Sequence, residues 1–198
     1  MNWPEITPLK IVEAGNPCLH QQARELTLDE ILSPSIQMLI QLMKTTMRAA
    51  PGVGLAAPQI GIPLQIAVIE DRIEYHKFWT PEQLAERERR PIDFHVIINP
   101  KIFLDDSEGT VEFFEGCLSV PSLMGLVPRA KVVKVECLNE KGEPIVINAR
   151  GWYARILQHE IDHLNGGLFL NHVHTSTLMT RENYDKFWKE KSSYPSPK

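Results

Sequence analysis

The most chemically capable stretch of this chain is a short run, Gln158-His159-Glu160-Ile161-Asp162-His163. On a helix, side chains four apart share one face, so His159 and His163 can direct their imidazoles at a single cation. Glu160, one position round, can reach a water beside that cation and is not the usual third ligand. Two neutral nitrogen donors and a carboxylate base within one helical turn are parts of a hydrolytic metal centre. Ile156, Leu157, Ile161 and Leu164 would bury this helix and carry the imidazoles inward. A lone buried histidine is commonly a hydrogen-bonded core residue; two in register beside a carboxylate fit that description less well.

A catalytic site takes three protein ligands and keeps one position open. His172 and His174, downstream of His163, are one source of the third. Cys117, in Glu115-Gly116-Cys117-Leu118-Ser119 at the end of a strand-like run, is the better one, because a thiolate binds a borderline divalent ion at about 2.3 Å. Cys18 and Cys137 read as small buried hydrophobes, the common role of a free cysteine.

These residues need elements to hold them. Ser33 can cap and Pro34 can open a helix over 34–50, in which Ile36, Leu39, Ile40, Met43 and Met47 form an apolar stripe. A glycine-rich turn, Pro51-Gly52-Val53-Gly54-Leu55, leads on to Gln59 and Gly61. Strand-like runs follow at 64–69, 94–98, 109–114, 131–138 and 144–148, the last two joined as a hairpin by Asn139-Glu140-Lys141-Gly142. Residues 71–93 are rich in charge and read as a solvated, partly helical insertion with no special function. The metal-binding helix starts near Arg150 or Gly151 and ends at Leu164, before Asn165-Gly166-Gly167. The tail, 175–198, adds a short helix around 181–189, and Pro195 and Pro197 mark a frayed end. The expected fold is one α+β domain over 1–198: antiparallel strands wrapped around a central C-terminal metal-binding helix, with an N-terminal amphipathic helix.

Composition narrows the class. With 198 residues and 43% hydrophobic content, the chain can bury one core without disulfides. A net charge of −4 with no basic face argues against nucleic acid or an anionic membrane as partner. The apolar stretches fall far short of a bilayer span. Residues 1–10 hold two prolines and no apolar core of a secretory signal. Three cysteines are poor material for a disulfide framework and fit a reducing compartment.

Three segments together resemble one family. Gly52-Val53-Gly54-Leu55-Ala56-Ala57-Pro58-Gln59, Glu115-Gly116-Cys117-Leu118-Ser119 and Gln158-His159-Glu160-Ile161-Asp162-His163 look like the three signature motifs of the peptide deformylases, in order and at similar spacing. The likeness runs from about Leu9 to Leu170, and Gly151-Trp152 before Ala154-Arg155-Ile156-Leu157 is similar to the organelle-like branch of type 1. The resemblance implies a hydrolase that removes the formyl group from N-terminal formyl-methionine of nascent polypeptides, through water activated by one divalent ion. It implies Fe(II) as the native metal, with zinc, nickel or cobalt able to replace it. Cys117, His159 and His163 would be the metal ligands and Glu160 the general base and then acid. Gln59 and the Leu118 backbone N–H would face the oxyanion.

A formamide is unreactive to neutral water, so a metal that lowers the water's pKa suits the task. The residues expected along the substrate are Val53, Gly54, Gly116, Trp152, Arg155 and Ile156, and the resemblance implies that the glycine loop pairs with the peptide as an added strand. For Arg155 an ion-paired role competes with substrate contact. Glu115, Arg129 and Asp162 are expected as a buried ion-pair network behind the ligands. The ribosome near its exit tunnel is a further candidate partner. The expected compartment is the bacterial cytosol, or a mitochondrion or plastid where a transit peptide has been removed. Two other functions compete: a zinc endopeptidase of the His-Glu-x-x-His type with a downstream histidine ligand, and a catalytically inactive, ribosome-associated metal-binding module. The second would be expected to lose Glu160 or Gln59, and both are present.

Overall fold

The computed structural model describes residues 7–189. The frayed end expected at Pro195 and Pro197 lies outside the described residues. Thr27 opens a first short helix, α1 (Leu28–Leu32), by a reciprocal cap: its hydroxyl accepts from the Glu30 N–H, and the Glu30 carboxylate accepts from its own N–H. Helix α2 (Pro34–Ala49) begins on the Ser33 hydroxyl and Pro34, and buries Leu39, Ile40, Met43 and Met47.

The strands are β1 (Gly54–Ala56), β2 (Ile66–Asp71), β3 (Ile92–Leu104), β4 (Thr110–Cys117), β5 (Val120–Ala130), β6 (Val132–Leu138), β7 (Pro144–Arg150) and β8 (Met179–Thr180). They form a five-stranded sheet in the order β1-β2-β3-β6-β7 and a three-stranded one in the order β4-β5-β8, with every named pair antiparallel. The remaining helices are α3 (Ile73–His76), α4 (Pro81–Glu86), α5 (Gly151–Leu164) and α6 (Arg181–Phe187).

The pleat explains how one sheet serves two helices. Leu55, Ile66, Val68, Val96 and Ile98 point to the α2 side, while their neighbours Ala56, Ala67, Ile69 and Ile97 point to α5. Helix α5 lies against strands of both sheets, and so is buried on nearly every side. Its end is sharp. Gly166, at φ +78°, turns the chain where a Cβ would press on the Gln21 backbone, and the Gly167 N–H returns to Asp162 O at 2.8 Å.

Two expectations need correction. The chain from Val120 to Ala130 is a full strand that was not anticipated, and the strand expected at 109–114 continues to Cys117. Residues 71–93 are not simply solvated, since Asp71, His76, Arg87 and Arg89 are buried. Arg89 makes two hydrogen bonds to Asp71, at 2.7 and 2.8 Å, and its guanidinium lies 4.9 Å from the centre of the Trp152 ring. Arg87 stacks over Trp79 and Phe113, and its carbonyl accepts the Trp152 backbone N–H at 2.8 Å. Ion pairing and stacking let these arginines act as packing residues, which a hydropathy count treats as solvated.

Candidate active site and metal centre

Hairpin β4–β5 delivers the sulfur. Cys117 pairs with Val120, so Leu118 and Ser119 form the turn, and a register shift between Glu115 and Cys117 sets Gly116 in a bulge. Helix α5 delivers the imidazoles. The ligand-type atoms of Cys117, His159 and His163 all lie within 4.8 Å of one another, with Cys117 Sγ 3.3 Å from His163 Nε2. His159 and His163 stand edge to face, their ring centres 5.0 Å apart. Bond lengths of about 2.0–2.3 Å to one tetrahedral ion require donors separated by a few ångströms, so the set fits a divalent metal.

The surroundings fix each ligand. His159 Nδ1 meets Glu115 Oε2 at 3.0 Å, which leaves Nε2 for the sulfur side. Glu115 also accepts from Arg129 (Nε, 3.0 Å) and Arg155 (Nη1, 2.6 Å), and Arg129 Nη1 reaches Asp162 at 2.5 Å. One buried carboxylate thus joins β4, β5 and α5. Burial alone would push Glu115 up, but the His159 hydrogen bond and Arg129 outweigh it and hold the carboxylate well below its usual range. Burial likewise pushes His159 down, yet its hydrogen bonds to Cys117 and Glu115 prevail and favour positive charge at this spot. Burial holds His163 well below its ordinary value, so its imidazole is neutral, as a metal ligand requires.

Glu160 is 4% exposed, and its Oε2 has no hydrogen-bond partner. Desolvation raises its carboxyl to about 7, with His159 acting in the opposite direction. Its place depends on Gly54, where any Cβ would overlap the Glu160 carboxylate. Gln59 is buried on the other side. Its Oε1 accepts from the Ala56 N–H at 2.9 Å, which aims Nε2 at Cys117 Sγ and Ser119 Oγ, both at 3.4 Å. Leu118 rests against the glycine loop, its Cδ1 3.0 Å from where a Gly52 Cβ would stand.

A cavity of about 580 Å³ opens onto this cluster. Val53, Gly54, Gly116, Trp152, Arg155 and Ile156 all line it, as do Gln59, Leu118 and Glu160. Arg155 is 3% exposed and donates to Glu115, Val127 O and Val111 O, so its guanidinium is ion-paired and hydrogen-bonded at the cavity wall. His172 faces Asp162 at 3.3 Å and His174 faces Glu112 at 2.8 Å, away from the Cys117 cluster, which removes the peptidase-type ligand set.

Sequence reasoning overlooked the far wall of the cavity, where Tyr75, Phe78, Trp79, Arg89, Tyr184 and Arg181 stand. Two adjacent aromatics, Phe78 and Trp79, inside a charged run were the signal that could have pointed to it. The role of Gln158 is not visible in its motif. Its amide exchanges two hydrogen bonds of 3.0 Å with the Ala130 backbone, tying the end of β5 to the metal helix.

Residues 8–178 match the family model described as polypeptide deformylase. The chain belongs to the polypeptide deformylase family. It is 47% identical over 88% of its length to chloroplastic peptide deformylase 1A of Solanum lycopersicum, and 41% identical over 96% to peptide deformylase 3 of Streptomyces avermitilis. It spans 63% of the tomato protein's length and 80% of the Streptomyces one. The crystal structure of a class I type b peptide deformylase from Acinetobacter baumannii with Met-Ala-Ser bound matches at TM-score 0.75 and 34% identity, over 85% of this chain and all of that one. Family membership brings metal dependence, and the Cys117, His159 and His163 cluster is the group of described residues compatible with it. No helix among the described residues is long and apolar enough to cross a membrane.

Proposed function

We propose that this chain hydrolyses the N-formyl group from formyl-methionine at the start of new polypeptides, releasing formate. The observation that carries it is the convergence of one sulfur and two imidazoles beside a buried carboxylate whose Oε2 has no partner. Cys117, His159 and His163 hold the metal. A divalent cation there supplies Lewis acidity that makes water nucleophilic near neutral pH.

Glu160 takes a proton from the attacking water, with its Oε2 free to accept it. As the formyl carbon becomes tetrahedral, Gln59 Nε2 donates to the oxygen that gains charge, joined by the Leu118 N–H. Glu160 then returns the proton to the departing nitrogen as the C–N bond breaks, leaving formate and a free methionine amine. The methionine side chain lies in the apolar part of the cavity near Val53, Trp152 and Ile156. The peptide behind it runs along Gly52–Gly54, the loop that leads into β1, the outer strand of the five-stranded sheet. Glu115, Arg129 and Asp162 position the ligands.

The native metal in this reading is Fe(II), which zinc, nickel or cobalt can replace. The substrate is met at the ribosome, in the bacterial cytosol or in an organelle that starts its proteins with formyl-methionine. The test is anaerobic release of formate from a formyl-methionine peptide by wild type and by Glu160→Ala, with metal content measured in both. Formate from wild type, and little from the metal-loaded variant, is the expected result. A metal-loaded wild type that releases none would overturn the proposal.

A further inference from the structure

The charged side chains along the cavity are balanced, with one exception. Arg155 is tied to Glu115, Arg89 to Asp71, and Lys189 faces Asp185 at 3.8 Å. Glu160 is the buried base. Arg181 also lines the cavity, and among the described residues no carboxylate stands within ion-pair distance of it. Asp185, one turn further along α6, turns to Lys189 instead.

Arg181 is held in place from behind. Its Nε–H donates to Pro121 O at 3.3 Å, which leaves the rest of the guanidinium directed over Gly116. A Cβ on Gly116 would stand 2.7 Å from Arg181 Nη2, so the bare backbone of the bulge makes room for this cation beside Cys117. An extended peptide advances about 3.3 Å per residue. A substrate anchored at Cys117 and running on past Gly116 would bring a residue soon after its methionine to the guanidinium.

We infer that Arg181 is a specificity-determining residue that favours substrates with an acidic side chain at one of the first two positions after formyl-methionine. This rests on the deformylase reading above. The arginine is exposed, so the preference is modest: exposed ion pairs correspond to about a two- to fivefold effect. Salt should weaken it, because the Debye length falls to about 3 Å at 1 M.

The test uses two series of formyl-methionine tripeptide amides, formyl-Met-X-Ala and formyl-Met-Ala-X, with X as Asp, Asn or Lys. The amide removes the C-terminal carboxylate, which would otherwise meet the same guanidinium. The readout is the ratio of kcat/KM for Asp over Asn within a series, so a general loss of activity does not enter it. Wild type is expected to give a ratio of about two to five in one series and to disfavour Lys there. Arg181→Gln should bring that ratio to about one, and Arg181→Glu should invert it. Equal ratios in wild type and Arg181→Gln in both series would overturn the inference while leaving deformylation intact. A wild type that yields no formate from any peptide would overturn the deformylase reading, and this inference with it.

Discussion

At the scale of the residue, the base assigned in the proposed mechanism is set by what it lacks. Glu160 loses its water to burial and gains no hydrogen bond at Oε2. Glu160→Gln keeps the shape and removes the proton acceptor, so formate release should fall by about 10²–10⁴-fold with metal content unchanged. The pH profile has a direction too. In the proposed mechanism the carboxylate is the active form, so kcat/KM should rise with pH along an acidic limb. Burial, opposed in part by His159, puts that limb at about 7. A rate that is flat between about pH 4 and 8 would contradict this role. The pairing of His159 with His163 was legible at this scale because the two stand four apart, the pitch of a helix, with Glu160 beside them. Arg155 was less so, since its partner Glu115 lies forty residues away and only the fold joins them.

At the scale of the element, two joints carry the site. The first is the close approach of the β1 loop to α5, which Gly54 permits. Gly54→Ala should displace the Glu160 carboxylate and lower activity far more than the melting temperature, as paired kinetics and calorimetry would show. The second is the arginine that ties β5 to β4 and α5. Arg129→Leu leaves Glu115 without one of its cations, at a cost of about 3–5 kcal/mol. For a chain of this size that is a fall in Tm of roughly 6–20 °C, with weaker metal retention. Helices α2 and α5 were readable from caps and periodicity, to within a residue at each end. Strand β5 was hidden, because Pro121, Gly125 and Pro128 punctuate it like a loop. Its pairing is supplied by β4, through the ladder from Thr110 to Cys117.

At the scale of the whole molecule, two ion-paired carboxylates, Glu70 and Glu115, set the response to acid. Arg48 beside Glu70, and His159 and Arg129 around Glu115, hold both carboxylates below the ordinary 4.5. Groups more acidic in the folded chain than in the unfolded one stabilise fully above about 4.5, and that contribution is lost as pH falls through their folded values. Tm should therefore drop steeply below about pH 4.5, and Glu115→Gln should flatten the slope while lowering the plateau. The same scale explains why residues 71–93 misled a reading by composition. Their arginines are neutralised by Asp71 and stacked on Trp79, Phe113 and Trp152, contacts that no local window contains.

One feature of the five-stranded sheet limits what can attach to it. Strand β1 is an outer strand only three residues long, enclosed by Pro51 on one side and Pro58 on the other. Proline has no amide hydrogen to offer a neighbour, so a ladder started here runs out within a few residues in either direction. A loose polypeptide end can occupy so short a berth, whereas another molecule's sheet finds too few rungs to grow on. The sheet can thus keep an open margin for its work without inviting fibre formation.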